Sequence, residues 1–157
     1  MSDRSGLSYL SPVPPMARIL GLLGLLPFAV SAIGIWLPVL GDLRFGLPLL
    51  ALGYGVLIAS FLGGVRWGAA MQNNIAASQP LHLVMSVVPS LTGLVALMLP
   101  LQYAFSLLIV VFVAQAVLDN LAANNGDVVA WYKPLRLVLT AGVVASLTSL
   151  LVHTLTH

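Results

Sequence analysis

The chain has 157 residues, of which 60% are hydrophobic and 6% are charged, and it contains no cysteine. A soluble globular domain carries about 25% charged residues, so this sequence has too little charge to cover a surface that faces water. The absence of cysteine excludes disulfides, thiolate metal sites and a cysteine nucleophile. The formal net charge of +2 indicates no basic patch, and we expect no nucleic-acid partner. The composition indicates an integral membrane protein whose first partner is the lipid bilayer.

The N-terminal segment, residues 1–18, is polar and interrupted by prolines, and we expect it to form a cytosolic arm. The segment from Ile19 to Leu40 has no charged residue, and it is long enough to cross a hydrocarbon core of about 30 Å. The small residues from Ala29 to Ala32 also offer a signal-peptidase site. Because the apolar run continues beyond them, a first transmembrane helix is the favoured interpretation.

Four further apolar segments follow, separated by polar residues, glycine or proline. We expect them to cross the membrane over residues 47–68, 81–99, 103–118 and 135–155. The predicted fold class is therefore all-α, a single bundle of five transmembrane helices. Pro27, Pro38 and Pro89 should bend the helices that contain them.

Basic residues predict the orientation of the bundle, because cytoplasmic flanks carry an excess of lysine and arginine. With five spans, the side of the membrane opposite the N-terminus has one basic residue, Arg44. The N-terminal side has five: Arg4, Arg18, Arg66, Lys133 and Arg136. We therefore expect the bacterial cytoplasmic (inner) membrane, with the N-terminus in the cytosol and the C-terminus outside.

The second span carries a face of small residues, which is what allows transmembrane helices to approach closely. This face consists of Gly55, Ala59, Gly63, Gly64 and Gly68. We expect it to pack against other helices of the same chain and to place the second span at the centre of the bundle. A homodimer formed through the same face is the alternative interpretation.

Three charged residues are expected at one depth near the cytosolic face: Arg66, Asp119 and Arg136. An ionisable residue within a span is a candidate for function by default. These three could form an interfacial salt bridge that joins helix ends, or they could form a binding site. Gln115, one helical turn deeper than Asp119, is expected to form hydrogen bonds between helices.

Other chemistry-bearing residues form no recognisable site. The sequence has no phosphate-binding loop, nucleophile elbow or zinc-protease motif, so we expect no catalytic residues and no cofactor. His153 and His157 have the spacing that binds a metal on one helix face, but no third ligand lies near them in the sequence. We therefore expect no metal site. His82 begins the third span and is expected to lie at the interface.

Three stretches of the sequence have a recognisable pattern: residues 54–68 (YGVLIASFLGGVRWG), residues 20–28 (LGLLGLLPF) and residues 131–140 (WYKPLRLVLT). They resemble the domain-of-unknown-function 3429 family, the transmembrane protein 69-like group. The resemblance covers nearly the whole chain and implies a five-span topology, but it implies no reaction, substrate or cofactor. It draws attention to a shared cluster at the cytosolic face: Arg66, Trp67, Asp119, Trp131, Tyr132 and Arg136.

Three classes of function are consistent with these features. The favoured one is a non-catalytic accessory, assembly or binding protein of a larger membrane complex, because the chain is small and has no catalytic constellation. The second is a small transporter or channel, which would be expected to have a charged or broken-helix site at the bilayer midplane. The third is a lipid- or quinone-binding membrane protein, which would need a deep apolar cleft next to Arg66.

Overall fold

The computed structural model describes residues 13–72, 79–124, 129 and 131–157. Every regular element in these ranges is helical. The elements are α1 (Pro15–Leu23), α2 (Leu26–Gly34), a 3₁₀ helix (Pro38–Gly46), α3 (Leu47–Gln72), α4 (Gln79–Leu97), α5 (Leu101–Asn124) and α6 (Tyr132–Thr156). Residues 1–12 of the expected cytosolic arm lie outside the described residues, and α1 begins within the rest of that arm.

The first expected span consists of two helices, α1 and α2. The residues that join them, Gly24 and Leu25, keep right-handed helical backbone angles, so the pair forms one bent segment of 20 residues. The interruption lies just before Pro27, whose missing N–H removes a hydrogen bond of a continuous helix.

This span ends earlier than the sequence predicted, at Gly34 rather than Leu40. Pro38 follows and starts the 3₁₀ helix, because proline is well accommodated in a first turn where its missing N–H has no helical partner. Within that segment Gly41 has φ of 53°, a left-handed conformation that favours glycine. The chain reverses here and continues into α3.

The pairing of residues shows the direction of each helix. Gly63 lies opposite Ser86 and Val56 lies opposite Gly93, so α3 and α4 are antiparallel. Gly34 at the end of α2 contacts Leu47 at the start of α3, whereas Phe28 near the start of α2 contacts Tyr54 further along α3. Helices α2 and α3 are therefore antiparallel too.

Two pairs of helices run in the same direction. Arg66 contacts Asp119 and Ala59 contacts Gln115, so residue numbers rise together along α3 and α5. Residue numbers also rise together along α1–α2 and α6, since Gly21 packs on Leu139 and the Ala32 carbonyl accepts a hydrogen bond from Ser149. The segments α1–α2, α3, α4, α5 and α6 therefore alternate in direction.

The helices have the length and composition of membrane spans. Four stretches are long and apolar enough to cross a bilayer: Pro15–Gly34, Pro38–Met71, Leu101–Asn124 and Tyr132–Thr156. The apolar part of α4, Leu83–Leu97, is shorter. The protein is thus an all-helical membrane protein, and the count of five spans stays a prediction. Large apolar side chains such as Leu57 (68% exposed) face outward, as expected for helices surrounded by lipid.

The core lies between α2, α3, α5 and α6. The aromatic rings of Phe28 and Phe112 meet edge to face, with centroids 6.1 Å apart, and the ring of Tyr54 lies 5.2 Å from that of Phe28. Phe105 and Leu147 are also fully buried. This core buries one face of α5, and the outer faces of the helices, including that of α5, are left to lipid.

The small-residue face of α3 is divided into two parts. Gly55, Ala59 and Gly63 are buried, and a Cβ added at Gly63 would overlap the backbone carbonyl of Ser86. Gly63 therefore sets the close approach of α3 to α4. Gly64 and Gly68 have no described neighbour within 4 Å of an added Cβ, so their expected packing contacts do not occur within the described part of the chain.

Candidate functional site

Three charged side chains from three helices meet at one end of the bundle, and we call them the charged triad. Asp119 on α5 lies between two arginines: its Oδ1 is 2.8 Å from Arg66 Nη2, and its Oδ2 is 2.8 Å from Arg136 Nε. All three side chains are largely buried, with exposed fractions of 12% for Asp119, 18% for Arg66 and 6% for Arg136. The structure thus brings together three residues that the sequence placed at a common depth.

The charged triad lies inside the helices rather than at their last turns. Arg66 is on α3, Asp119 is near the end of α5 and Arg136 is in the second turn of α6. At 1.5 Å of rise per residue, these positions are about 6–9 Å from the nearest helix ends. We call this side of the molecule the triad end; α1 begins there as well.

Gln115 extends the contact between α3 and α5. Arg66 Nη2 donates to the backbone carbonyl of Gln115 at 3.3 Å. The amide Nε2 of Gln115 in turn donates to the carbonyl of Ala59 at 3.3 Å. A buried amide that joins two membrane helices in this way contributes to their association.

Among the described residues, the charges at the triad end do not cancel. The charged triad contains one carboxylate and two guanidinium groups, which leaves one positive charge. Arg18 and Lys133 lie at the same end, where Lys133 Nζ donates to the neutral amide oxygen of Asn124 at 3.0 Å. Among the residues that the structure describes, Asp119 is the only acidic side chain at this end.

Some buried polar atoms at the triad end have no hydrogen-bond partner. Within the described ranges these atoms are Arg136 Nη2, Asn120 Oδ1 and Thr140 Oγ1. An unpaired buried polar atom costs about 1–3 kcal/mol of stability, and more when the group is charged. The Arg136 guanidinium therefore bonds Asp119 through Nε, while its Nη2 has no acceptor in the described part of the chain.

An apolar cavity of about 430 Å³ lies beside Arg136, between α1, α2, α3 and α6, with Phe112 of α5 also in its wall. Its walls are mostly hydrocarbon and aromatic rings, contributed by residues such as Phe28, Tyr54, Phe61, Leu62, Phe112 and Leu139. Its polar groups include Arg136 and Tyr132, which lie together at the triad end, with Trp131 next to them. Arg66 does not line it, although Val65 does.

The cavity runs along the bundle and opens on its outer surface. Its wall on α6 extends from Tyr132 to Val143, which corresponds to about 17 Å along a helix. Leu20 and Phe61 line the cavity yet are 64% and 66% exposed. Because α1 packs on α6, with Gly21 against Leu139, the opening lies between α1 and α3.

The other residues expected in the cytosolic-face cluster have different positions. The rings of Trp131 and Tyr132 are 6.3 Å apart at 76°, and both residues line the cavity beside Arg136. Trp67 is 42% exposed and is not part of the cavity wall. The structure therefore groups Trp131 and Tyr132 with the charged triad and leaves Trp67 outside that group.

The histidines lie elsewhere. The side chain of His82 is outside the described residues. His153 and His157 are at the opposite end of the bundle, where their rings stack at 4.5 Å with 7° between the planes. In the described ranges, no group of three or more histidine, cysteine or acidic side chains lies together.

The aromatic wall of the cavity was not recognised from the sequence. Tyr54 and Phe61 are seven residues apart on α3, which places them on one helix face, and Ile58 and Val65 continue that face. This spacing is the feature of the sequence that indicates the aromatic wall. It does not distinguish a cavity from ordinary helix packing, since aromatic residues on one face occur in both.

Comparison with known proteins gives a family without an assigned activity. The family described as "Protein of unknown function (DUF3429)" matches residues 13–152. "Transmembrane protein 69" of Xenopus tropicalis is 34% identical over 151 residues, which is 96% of this chain but 59% of that protein. The chain therefore spans less than two thirds of this relative. No solved structure matches the chain.

Proposed function

We propose a function from the premise that this chain belongs to the DUF3429 family of membrane proteins of unknown function. The proposal is that it binds one amphipathic small molecule of the membrane, a lipid or a quinone, in the cavity beside the charged triad. The observation that carries it is the cavity of about 430 Å³, apolar along its length and bordered at one end by Arg136 and Tyr132.

The dimensions of the cavity support an amphipathic ligand. Pockets that bind small molecules are about 300–1,000 Å³, are largely apolar and hold a few convergent polar groups. The cavity is also about 17 Å long, a little more than half of a hydrocarbon core that is about 30 Å thick. A ligand with its polar group near Arg136 would thus extend its hydrocarbon part toward the bilayer midplane.

The position of the opening supports entry from the bilayer. The cavity opens between α1 and α3 on the lipid-facing surface, where Leu20 and Phe61 are exposed. A hydrophobic ligand could therefore enter sideways from lipid without passing through water. The sequence-based hypothesis of a lipid- or quinone-binding protein required an apolar cleft beside Arg66. The cavity instead reaches the charged triad through Arg136.

Five spans and a cytosolic N-terminus form part of the proposal. The alternating directions of the helical segments support five crossings, with α4 included. The basic residues support a cytosolic triad end. The bacterial inner membrane stays an expectation from the sequence. The accessory, transporter and channel roles also stay predictions, and we prefer ligand binding because the cavity supports it directly.

Native mass spectrometry of the purified protein tests the proposal. We expect wild-type protein, released gently from detergent, to retain one small molecule per chain. Ala17→Trp places a large ring in the cavity wall on α1 and should lower the retained fraction at least tenfold. Ala114→Trp is the matched control, because Ala114 is exposed on α5 and does not line the cavity.

The two tryptophan variants separate cavity binding from general lipid adhesion. Loss in Ala17→Trp together with retention in Ala114→Trp supports the proposal, provided that both variants have wild-type melting temperatures. Equal retention by both variants would contradict it, and so would a wild-type protein that retains no small molecule.

A further inference from the structure

We infer that the ligand is an anionic membrane lipid whose headgroup oxygens accept hydrogen bonds from Arg136. This inference rests on the proposed function and specifies the chemistry of the ligand. It follows from two observations beyond the apolar cavity itself. They are the positive charge at the triad end and the unpaired donor of Arg136 in the described structure.

The charge of the site favours an anion. Asp119 balances only one of its two arginine partners, and Arg18 and Lys133 add positive charge at the same end of the described structure. An uncompensated charge within a membrane protein is costly, and a partner of opposite sign removes much of that cost. A phosphate or carboxylate headgroup would supply this partner, whereas a neutral quinone would leave the positive charge in place.

The hydrogen-bonding state of Arg136 agrees with the charge. The residue is 5% exposed, and its Nε donates to Asp119 at 2.8 Å. Its Nη2 is buried and has no acceptor among the described residues, although the residue lines the cavity. Guanidinium groups bind phosphate and carboxylate oxygens strongly and with directed geometry. The Arg136 guanidinium, which borders the cavity and has an unpaired donor among the described residues, is therefore the group that a headgroup at this end would contact.

The aromatic residues favour a lipid over a free anion. Trp131 and Tyr132 line the same end of the cavity, and such rings are typical of the headgroup level of a membrane. The remaining walls are apolar and suit a hydrocarbon chain. An inorganic phosphate ion would use Arg136 and leave the apolar length of the cavity unused.

A competition experiment measures the preference. Protein that has been stripped of lipid is titrated with phosphatidylglycerol and with phosphatidylcholine of identical acyl chains, and bound lipid is counted by native mass spectrometry. We expect wild-type protein to bind the anionic lipid at least tenfold more tightly. A tenfold difference corresponds to about 1.4 kcal/mol.

Matched variants assign this preference to Arg136. Arg136→Gln should bring the preference to within about twofold, a difference of about 0.4 kcal/mol. Arg44→Gln removes the same charge at the opposite end of the bundle, and Arg44 does not line the cavity. This control should therefore keep the preference. If Arg136→Gln does not fold, Arg136→Lys replaces it. Lysine keeps the charge but lacks the directed donors of the guanidinium, so the preference should fall, though less than in Arg136→Gln.

The remaining outcomes distinguish the inference from the proposed function. Equal binding of the two lipids by wild-type protein, or equally tight binding of neutral decylubiquinone, would overturn the inference and leave the proposed function standing. Displacement of phosphatidylglycerol by inorganic phosphate alone would also overturn it, by assigning the site to a free anion. Binding of none of these molecules would overturn both.

Discussion

The two ends of the bundle are held together by different chemistry. At the triad end, ion pairs join α3, α5 and α6 through Asp119. At the opposite end, which we call the Trp36 end, neutral groups join α2 to α6. There Trp36 Nε1 donates to Ser149 Oγ at 3.0 Å, and Ser149 donates to the carbonyl of Ala32 at 3.1 Å. The Trp36 ring also meets the His153 ring edge to face at 5.0 Å.

The difference lies in how completely each end satisfies its own polar groups. At the Trp36 end, the Ser149 hydroxyl both accepts and donates a hydrogen bond. At the triad end, buried polar atoms of Asn120, Arg136 and Thr140 have no partner in the described ranges, and the apolar cavity lies alongside. Buried polar groups are usually paired. An end that keeps free donors beside a cavity has the features of a binding site, whereas the other end has those of a structural contact.

The largest expected effect is all-or-none chemical labelling that separates the two ends across the membrane. Because the chain has no cysteine, single-cysteine variants each report one position. Asn74→Cys and Asn125→Cys should react only from the cytosolic side, while Met98→Cys and His157→Cys should react only from the other side. A membrane-permeant reagent that labels all four is the control. Labelling of positions 74 and 98 from the same side would contradict a crossing by α4.

The next largest effect should come from removing the charge that holds the triad end together. Asp119→Asn leaves two buried arginines without a counter-charge and should lower the free energy of unfolding by about 3–5 kcal/mol. The same change should cost less in an Arg66→Gln or Arg136→Gln background, with coupling of about 0.5–3 kcal/mol. Unfolding in mixed detergent micelles provides the measurement. Strict additivity in both double-mutant cycles would mean that the ion pairs carry no cooperative energy.

A change at Gly63 tests the close contact that positions α3 next to the charged triad. Gly63→Ala adds a methyl group against the backbone of α4 and should destabilise the protein by about 1–3 kcal/mol. Gly64→Ala is the adjacent control and should be close to neutral, since open space surrounds that position in the described structure. Gly63→Leu should be more damaging than Leu57→Ala for the same reason. Equal tolerance at positions 63 and 64 would show that α3 does not depend on this contact.

The smallest effect is expected at the Trp36 end. Ser149→Ala removes one acceptor and one donor and should cost about 1 kcal/mol of unfolding free energy. Thr148→Ala, on the exposed side of the same helix turn, should change the stability less. Ser149→Ala should also leave lipid binding unchanged, because Ser149 does not line the cavity. Altered lipid selectivity in Ser149→Ala would break the proposed division between the two ends.

The sequence predicted the features that depend on hydropathy and charge. A bilayer requires long apolar helices, so the positions of α3, α5 and α6 could be read from apolar runs. Buried charges in a membrane need partners, so Arg66, Asp119 and Arg136 could be placed at one depth. The early end of the first span was harder to predict, because residues 35–40 are as apolar as those before them, and local backbone geometry at Pro38 ends the helix.

The cavity could not be predicted, because it depends on how helices are spaced rather than on what they contain. Phe61 and Leu139 are ordinary apolar residues in ordinary spans, and only the packing of α1 on α6 leaves space beside them. Gly63 and Gly64 illustrate the same limit. They are identical neighbours in the sequence, but one contacts α4 and the other has open space around it in the described structure.

A crystal structure grown from a lipid mesophase that contains phosphatidylglycerol would test the central claim most directly. We expect elongated density in the cavity between α1 and α3, with headgroup oxygens within hydrogen-bond distance of the Arg136 guanidinium and a hydrocarbon chain reaching toward Phe28. An empty cavity, or a structure in which α1 has moved onto α3 and closed the space, would contradict it.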